Sequence, residues 1–158
     1  DALYGKFIQR NAGTFDWRQY PETTENSATA PASDWTWGNP ANDPCKSLGN
    51  TWRMPTQAER TQIASNNTWV WQDGGTNGTS GYQIKPGGTN KPTALFLPAA
   101  GSRSRSNGAQ YSVGSLGYYW SSSFMGATSY NLYFTSESIS ATGTHPRANG
   151  FSVRCVSE

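Results

Sequence analysis

Charge is what this sequence has least of. Only 14% of its residues are Asp, Glu, Lys or Arg, and the formal net charge is +2. There is no run of Lys or Arg, so the electrostatic footprint of a nucleic-acid-binding protein is missing. No apolar run approaches the ~18 residues that a membrane helix needs, so direct membrane insertion is not expected. Histidine occurs once, as His145, and cysteine twice, as Cys45 and Cys155, with no CxxC pair. A metal site is therefore not expected, and no cofactor is implied. The ten carboxylates are scattered, and no pair stands out as an acid/base dyad. His145 lies beside Pro146 in a Ser/Thr/Gly-rich stretch with no sequence cue to an orienting partner or a nucleophile. No catalytic residue is assigned, and the chain does not read as an enzyme. The Gly-Gly pairs at 74–75 and 87–88 lack the Gly-Lys-Ser/Thr ending of a phosphate loop and read as turns.

What is abundant is aromatic. The chain carries 7 Trp, 8 Tyr and 6 Phe. Disordered chains are poor in aromatics and rich in charge, so this one is globular with an aromatic core. At 158 residues it fits a single domain. It begins at Asp1, and a processed protein or excised domain is expected.

Residues Leu3–Ile8 suit a first strand. Asn11 to Asn42, punctuated by Pro21, Pro31 and Pro40, reads as a long loop anchored by Trp17, Trp35 and Trp37. Asp43 to Gly49 has the cap, proline and terminal glycine of a short helix. Thr56 and Glu59 form a capping box that predicts a second helix over about Gln57–Ser65, with Ala58, Ile63 and Ala64 inward. Strands are expected at Thr68–Gln72, Gly81–Lys85, Ala94–Leu97, Tyr118–Ser122, Tyr130–Thr135, Glu137–Ser140 and Phe151–Val156. Period-two phase puts Tyr130, Leu132 and Phe134 on one face and Asn131, Tyr133 and Thr135 on the other. Trp52, Trp120, Phe134 and Phe151 are expected to be core. Helices early and antiparallel strands late make the class α+β.

For the two cysteines the preferred reading is a disulfide tying the first helix to the last strand; two reduced, buried cysteines are the alternative. A bridge would place the domain in an oxidising compartment.

Between Gly101 and Cys155 two kinds of residue interleave. Scaffold residues such as Tyr119, Trp120, Leu132, Phe134, Phe151 and Val153 alternate with a Tyr/Ser/Thr mixture carrying a few large apolar side chains. The second kind reads as a binding surface. Its members are Ser104, Ser106, Tyr111, Ser112, Leu116, Tyr118, Phe124, Met125, Thr128, Ser129, Tyr133, Thr135, Glu137, Ser138, Ser140, Thr142, Thr144 and His145, expected together on one exposed face. Tyr118, Phe124, Met125 and Tyr133 carry the largest contact area. His145 reads as a surface contact or an inert residue, and Arg103 and Arg105 as solvated loop cations, with an anion site as the alternative.

Several motifs point one way together. Pro44-Cys45 is followed by Trp52-Arg53-Met54-Pro55-Thr56. Leu95-Phe96-Leu97-Pro98-Ala99-Ala100-Gly101, Gly117-Tyr118-Tyr119-Trp120-Ser121-Ser122-Ser123 and Arg147-Ala148-Asn149-Gly150-Phe151-Ser152-Val153-Arg154-Cys155-Val156 follow. From about Pro44 to Val156 the chain resembles C-type-lectin-fold variable proteins of diversity-generating retroelements in gut Bacteroidetes and their phages. It also resembles the related major paralogous domain family of Fibrobacter succinogenes. The resemblance implies a single C-type lectin-like domain over 1–158, with two short helices, antiparallel sheets and termini together in one sheet. It further implies a region, about 101–155, whose codons are rewritten by a reverse transcriptase. The function so implied is a ligand- or receptor-binding module of a surface, pilus-tip or phage adhesin. Its partner would be a protein or glycan receptor, and its location extracellular, cell-surface or virion-associated. The alternative is a non-diversified extracellular structural or carbohydrate-associated domain. The EPN or QPD and WND elements of calcium-dependent sugar binders are absent, so that mode is not expected.

Overall fold

The computed structural model describes residues 7–11, 14–16, 43–75, 78–87, 95–105, 108–125, 128–147 and 149–157, the first two segments as backbone only. The elements in order are β1 (Phe7–Asn11), β2 (Thr14–Asp16), a 3-10 helix (Pro44–Leu48), β3 (Trp52–Arg53), α1 (Gln57–Asn66), β4 (Asn67–Gln72), β5 (Gly81–Pro86) and β6 (Leu95–Pro98). There follow β7 (Ser102–Arg103), β8 (Gln110–Tyr111), β9 (Gly117–Met125), β10 (Thr128–Phe134), β11 (Ile139–Pro146), β12 (Phe151–Ser152) and β13 (Val156–Ser157). The fold is mixed α+β and mostly antiparallel.

The main sheet has the order β11-β10-β9-β12-β1-β2. The N-terminal strand β1 thus lies beside β12, near the far end of the chain, in antiparallel register. A second sheet, β4-β5-β6, packs across one face of β9–β11, and small pairs β13-β3 and β7-β8 complete the set. Two apolar clusters result. One joins Tyr82, Ile84 and Leu97 to Tyr119, Leu132 and Phe134, with Ile63 and Ala64 of α1 against it. The other gathers Cys45, Met54, Trp120, Phe151, Val153 and Cys155. Cys45 and Cys155 form a disulfide with a Cα–Cα separation of 5.7 Å across 110 positions.

The Thr56 capping box forms as the sequence predicts, with Glu59 closing it and also pairing Arg53 at 2.7 and 2.8 Å. Arg53 and the Thr56 bonds hold the Glu59 carboxyl down to about 2.

Several expectations need correction. The first helix is a five-residue 3-10 turn, with i→i+3 bonds such as Gly49 N–H to the Lys46 carbonyl; α1 is the single α-helix among the described residues. Ala58 is exposed, and Arg60 takes the inward position instead. Trp52 is only partly buried, packed on the edge of the disulfide cluster. Leu132 and Phe134 are buried as their phase predicts, but Tyr130 is not, because a register shift between Ser129 and Asn131 interrupts the alternation. The expected strand Glu137–Ser140 and loop after it become a turn followed by β11. The expected strand Phe151–Val156 splits into β12 and β13, as Val153 and Cys155 turn into the disulfide cluster. Leu3, Trp17, Trp35, Trp37, Ala94 and Ser106 lie outside the described residues.

Candidate functional site: an aromatic cleft beside the main sheet

On β9, Tyr118 and Trp120 alternate with Tyr119, so they point away from the β4-β5-β6 layer. Phe151 of β12 lies between them. Its ring stacks on Trp120 at 4.3 Å and on Tyr118 at 4.5 Å. The stack climbs from a fully buried indole to a half-exposed phenol. Tyr133 of β10, directly opposite Tyr118 in register, tilts against it at 5.0 Å. His145 of β11 meets Tyr118 edge-on at 5.5 Å and Phe151 at 5.3 Å.

Tyr118, Phe151 and His145 form one wall of a cleft of about 370 Å³. The opposite wall is the β7-β8 hairpin, which contributes Ser102, Arg103, Ser104, Tyr111 and Ser112, with Asn149 at the end. Backbone geometry fixes that hairpin. Gly101 has φ +70°, and a Cβ there would lie 2.1 Å from the Tyr111 carbonyl, so only glycine fits. Gly101 N–H donates to the Leu116 carbonyl, while Arg103 and Gly150 exchange a pair of backbone bonds of 2.8 and 2.9 Å. Ser112 holds φ 59°, a left-handed conformation uncommon for a serine, while its carbonyl accepts from Ser115 and Leu116 N–H. A residue held off its preferred conformation at a cleft wall is a mark of a pre-shaped site.

The ionisation states are set by burial. His145 is pushed below its ordinary value by desolvation. Asn131 Nδ2 donates to the Gly143 carbonyl at 3.2 Å and lies 2.9 Å from His145 Nδ1. An amide N–H₂ only donates, so Nδ1 accepts, and the neutral ring carries its proton on Nε2. Tyr118 is raised, by burial first and by Tyr133 second, and stays a phenol. The cleft thus offers aromatic faces, hydroxyls, amides and one guanidinium. Among the described residues, no group of three His, Cys, Asp or Glu stands where it could hold a metal ion.

The sequence-predicted residues among those described are spread over several places. Ser104, Tyr111, Ser112, Tyr118 and His145 line the cleft, and Tyr133 backs it. Phe124, Met125 and Thr128 sit at the β9-β10 hairpin end, where Phe124 and Met125 are 45% and 57% exposed and Phe124 lies over the buried Arg147 guanidinium at 5.9 Å. Thr135, Glu137 and Ser138 form the turn at the other end of β10, tied by Thr135 Oγ1 to the N–H groups of both others. Thr142 is exposed on the edge strand, Ser140 and Thr144 are half-buried there, and Leu116 is half-buried before β9. Ser129 departs from the expected exposed face. It is 0% exposed, as is Asn131 two positions on.

Ser102, Arg103, Asn149 and Phe151 were not among the predicted contacts. Arg103 is no solvated loop cation: its Nη1 donates to the Gly108 carbonyl at 3.1 Å and its backbone joins Gly150. The three consecutive large rings at 118–120 were the available signal. In a strand they require cover on both faces, and on the cleft side Phe151 supplies it.

The fold and cleft define a disulfide-tied α+β domain that presents an aromatic, weakly charged recess. A family model, the domain of unknown function DUF8237, matches residues 85–156 and so spans the whole cleft. No curated protein and no solved structure matches the chain. No helix among the described residues is long and apolar enough to cross a membrane.

Proposed function

We propose that this domain is a ligand- or receptor-binding module, a C-type-lectin-like scaffold displaying a diversified surface at the end of a surface, pilus-tip or phage adhesin. The observation that supports this reading best is the cleft itself. Tyr111, Ser104, Ser112, Tyr118 and His145 converge on it from separate parts of the chain, on a frame tied by the disulfide. Rigid Tyr rings with small hydroxyl side chains give contact area at low entropic cost, as in antibody paratopes. A bridged domain without a membrane-crossing helix among its described residues suits an extracellular or virion-associated setting. The partner in this reading is a protein or glycan receptor.

The test is genetic first. A near-copy of the segment coding for about Gly101 to Cys155, differing mainly at adenines and lying beside a reverse transcriptase gene, is expected. Without it the domain is a fixed extracellular module of the same fold. Arrays of surface proteins and glycans then test recognition: selective capture by the wild-type domain should be lost in Tyr111→Ala with Met125→Ser at unchanged melting temperature.

A further inference from the structure

A second cavity, about 430 Å³, lies on the side of β10 away from the cleft, between α1, β6 and the C-terminal segment. Ile63, Leu97, Leu132 and Val156 make its wall largely apolar. Arg60 and Arg154 also line it. Arg60 decides its chemistry. The side chain is only 3% exposed, its Nη2 donates to the Trp120 carbonyl, and its Nε has no hydrogen-bond partner among the described residues. Its guanidinium carbon also lies over the face of Tyr119, at 6.0 Å, and Glu59 of the same turn acts on it through its charge. The neighbouring carboxylate, Glu59, is directed to Arg53 and Thr56. A buried guanidinium to which no carboxylate is hydrogen-bonded among the described residues is costly to keep. A well-packed apolar residue in place of a buried charge is often neutral or stabilising, so a guanidinium beside a cavity of ligand size points to a guest.

The guest must match two features at once. A guanidinium favours a planar anion that accepts through two oxygens. The remaining wall favours hydrocarbon and rejects a molecule covered in hydroxyls. We propose that this cavity binds a small amphipathic carboxylate, its head on Arg60 and its apolar body against Ile63, Leu97 and Leu132. Ile63 and Val156 also line a groove with Gln62 and Asn67, so the cavity and the groove share two wall residues. The site lies across the sheet from the aromatic cleft and does not depend on how the cleft is used.

The experiment titrates the intact domain with octanoate, 1-octanol, octylammonium and acetate, by calorimetry and by the fluorescence of the tryptophans. Octanoate should bind at least about tenfold more tightly than octanol, reflecting the charged hydrogen bonds to Arg60, with no measurable binding of octylammonium or acetate. Arg60→Met should bring octanoate and octanol to within about threefold of each other. Ile63→Trp, which fills the cavity, should weaken octanoate by more than about tenfold. No octanoate binding, equal binding of octanol, acetate binding as well as octanoate, or an Arg60→Met variant that keeps its preference would each overturn the proposal. Should Arg60→Met fail to fold, the wild-type octanoate-to-octanol ratio and the Ile63→Trp variant decide it alone.

Discussion

The two faces of β9 and β10 are built from alternate residues of the same strands, yet they are finished differently. The face toward β4-β5-β6 is closed. Tyr119, Leu132 and Phe134 meet Tyr82 and Leu97, and Phe134 has Trp69, Trp71, Tyr82 and Tyr119 within ring contact. The cleft face is graded. It begins with Trp120 against the disulfide cluster, passes through Phe151 to Tyr118, and ends at side chains open to solvent. Strand phase therefore separates core from surface on the first face only. On the second, distance along the stack does.

The disulfide anchors the buried end of the graded face, and its loss should have the largest effect. Closing a loop of 110 positions stabilises by about 4–5 kcal/mol in the loop-entropy model. A Cys45→Ala/Cys155→Ala variant should show that deficit in denaturant melts. A midpoint like the wild type's would mean that the packing of Trp120 and Phe151 holds this face unaided.

Next come single ring deletions, one on each face. Phe134→Ala should cost about 3–5 kcal/mol, since its neighbours are fixed on all sides and cannot collapse into the space. Gly117 shows how tight that packing is: a Cβ there would lie 2.0 Å from the Phe134 ring. Tyr118→Ala, a ring of similar size, should cost about 1–2 kcal/mol, because part of its surface already faces water. Equal losses for the two would erase the difference between closed and graded faces.

Acid should separate the faces without mutation. His145 binds a proton in the unfolded chain near the ordinary histidine value of 6.5 and in the folded chain only at lower pH. Its contribution is therefore complete above that value and lost as pH falls below it. Protonated Nδ1 would also face the Asn131 amide, donor to donor. Glu59, on the α1 side, is depressed from 4.5 to about 2, so its contribution persists to lower pH and is lost only across that window. Amide exchange followed from neutral to acid pH should show β11 loosening before the first turn of α1. The reverse order would contradict both assignments, and His145→Gln should remove the earlier step.

These contrasts also mark what was legible in the sequence. The Thr56–Glu59 box and the Leu132/Phe134 phase were readable because each rests on one local rule. Tyr130 was not, since a bulge that shifts phase leaves no residue signature. Arg60 was missed because a charged residue on a helix ordinarily marks the solvent side. Ser129 and Asn131 were read outward for the same kind of reason: polar residues in outward phase suggest water, whereas here both are buried, and Asn131 is turned to Gly143 and His145 of β11. The cleft was half legible. Tyr111, Tyr118 and His145 were recognisable by type, but their meeting depends on the Arg103–Gly150 pairing between segments far apart in the chain.

The smallest effect is expected at the open end of the graded face. Phe124 and Met125 are the most apolar side chains of the β9-β10 hairpin and sit about half in water. If the stack, and not strand phase, defines the core, replacing both by Ser should barely register. Two losses are foreseeable. The Phe124 ring, itself 45% exposed, lies over the buried Arg147 guanidinium at 5.9 Å, a contact worth about 0.5–1 kcal/mol when the ring is so open to water. The Tyr130 hydroxyl lies 4.0 Å from Met125 Sδ, too long to contribute much. Phe124→Ser/Met125→Ser should thus fall within about 1 kcal/mol of wild type in denaturant melts, with an unchanged m-value. A loss of about 3 kcal/mol or more, the scale expected for Phe134, would place the hairpin end inside the core and end the distinction between the faces.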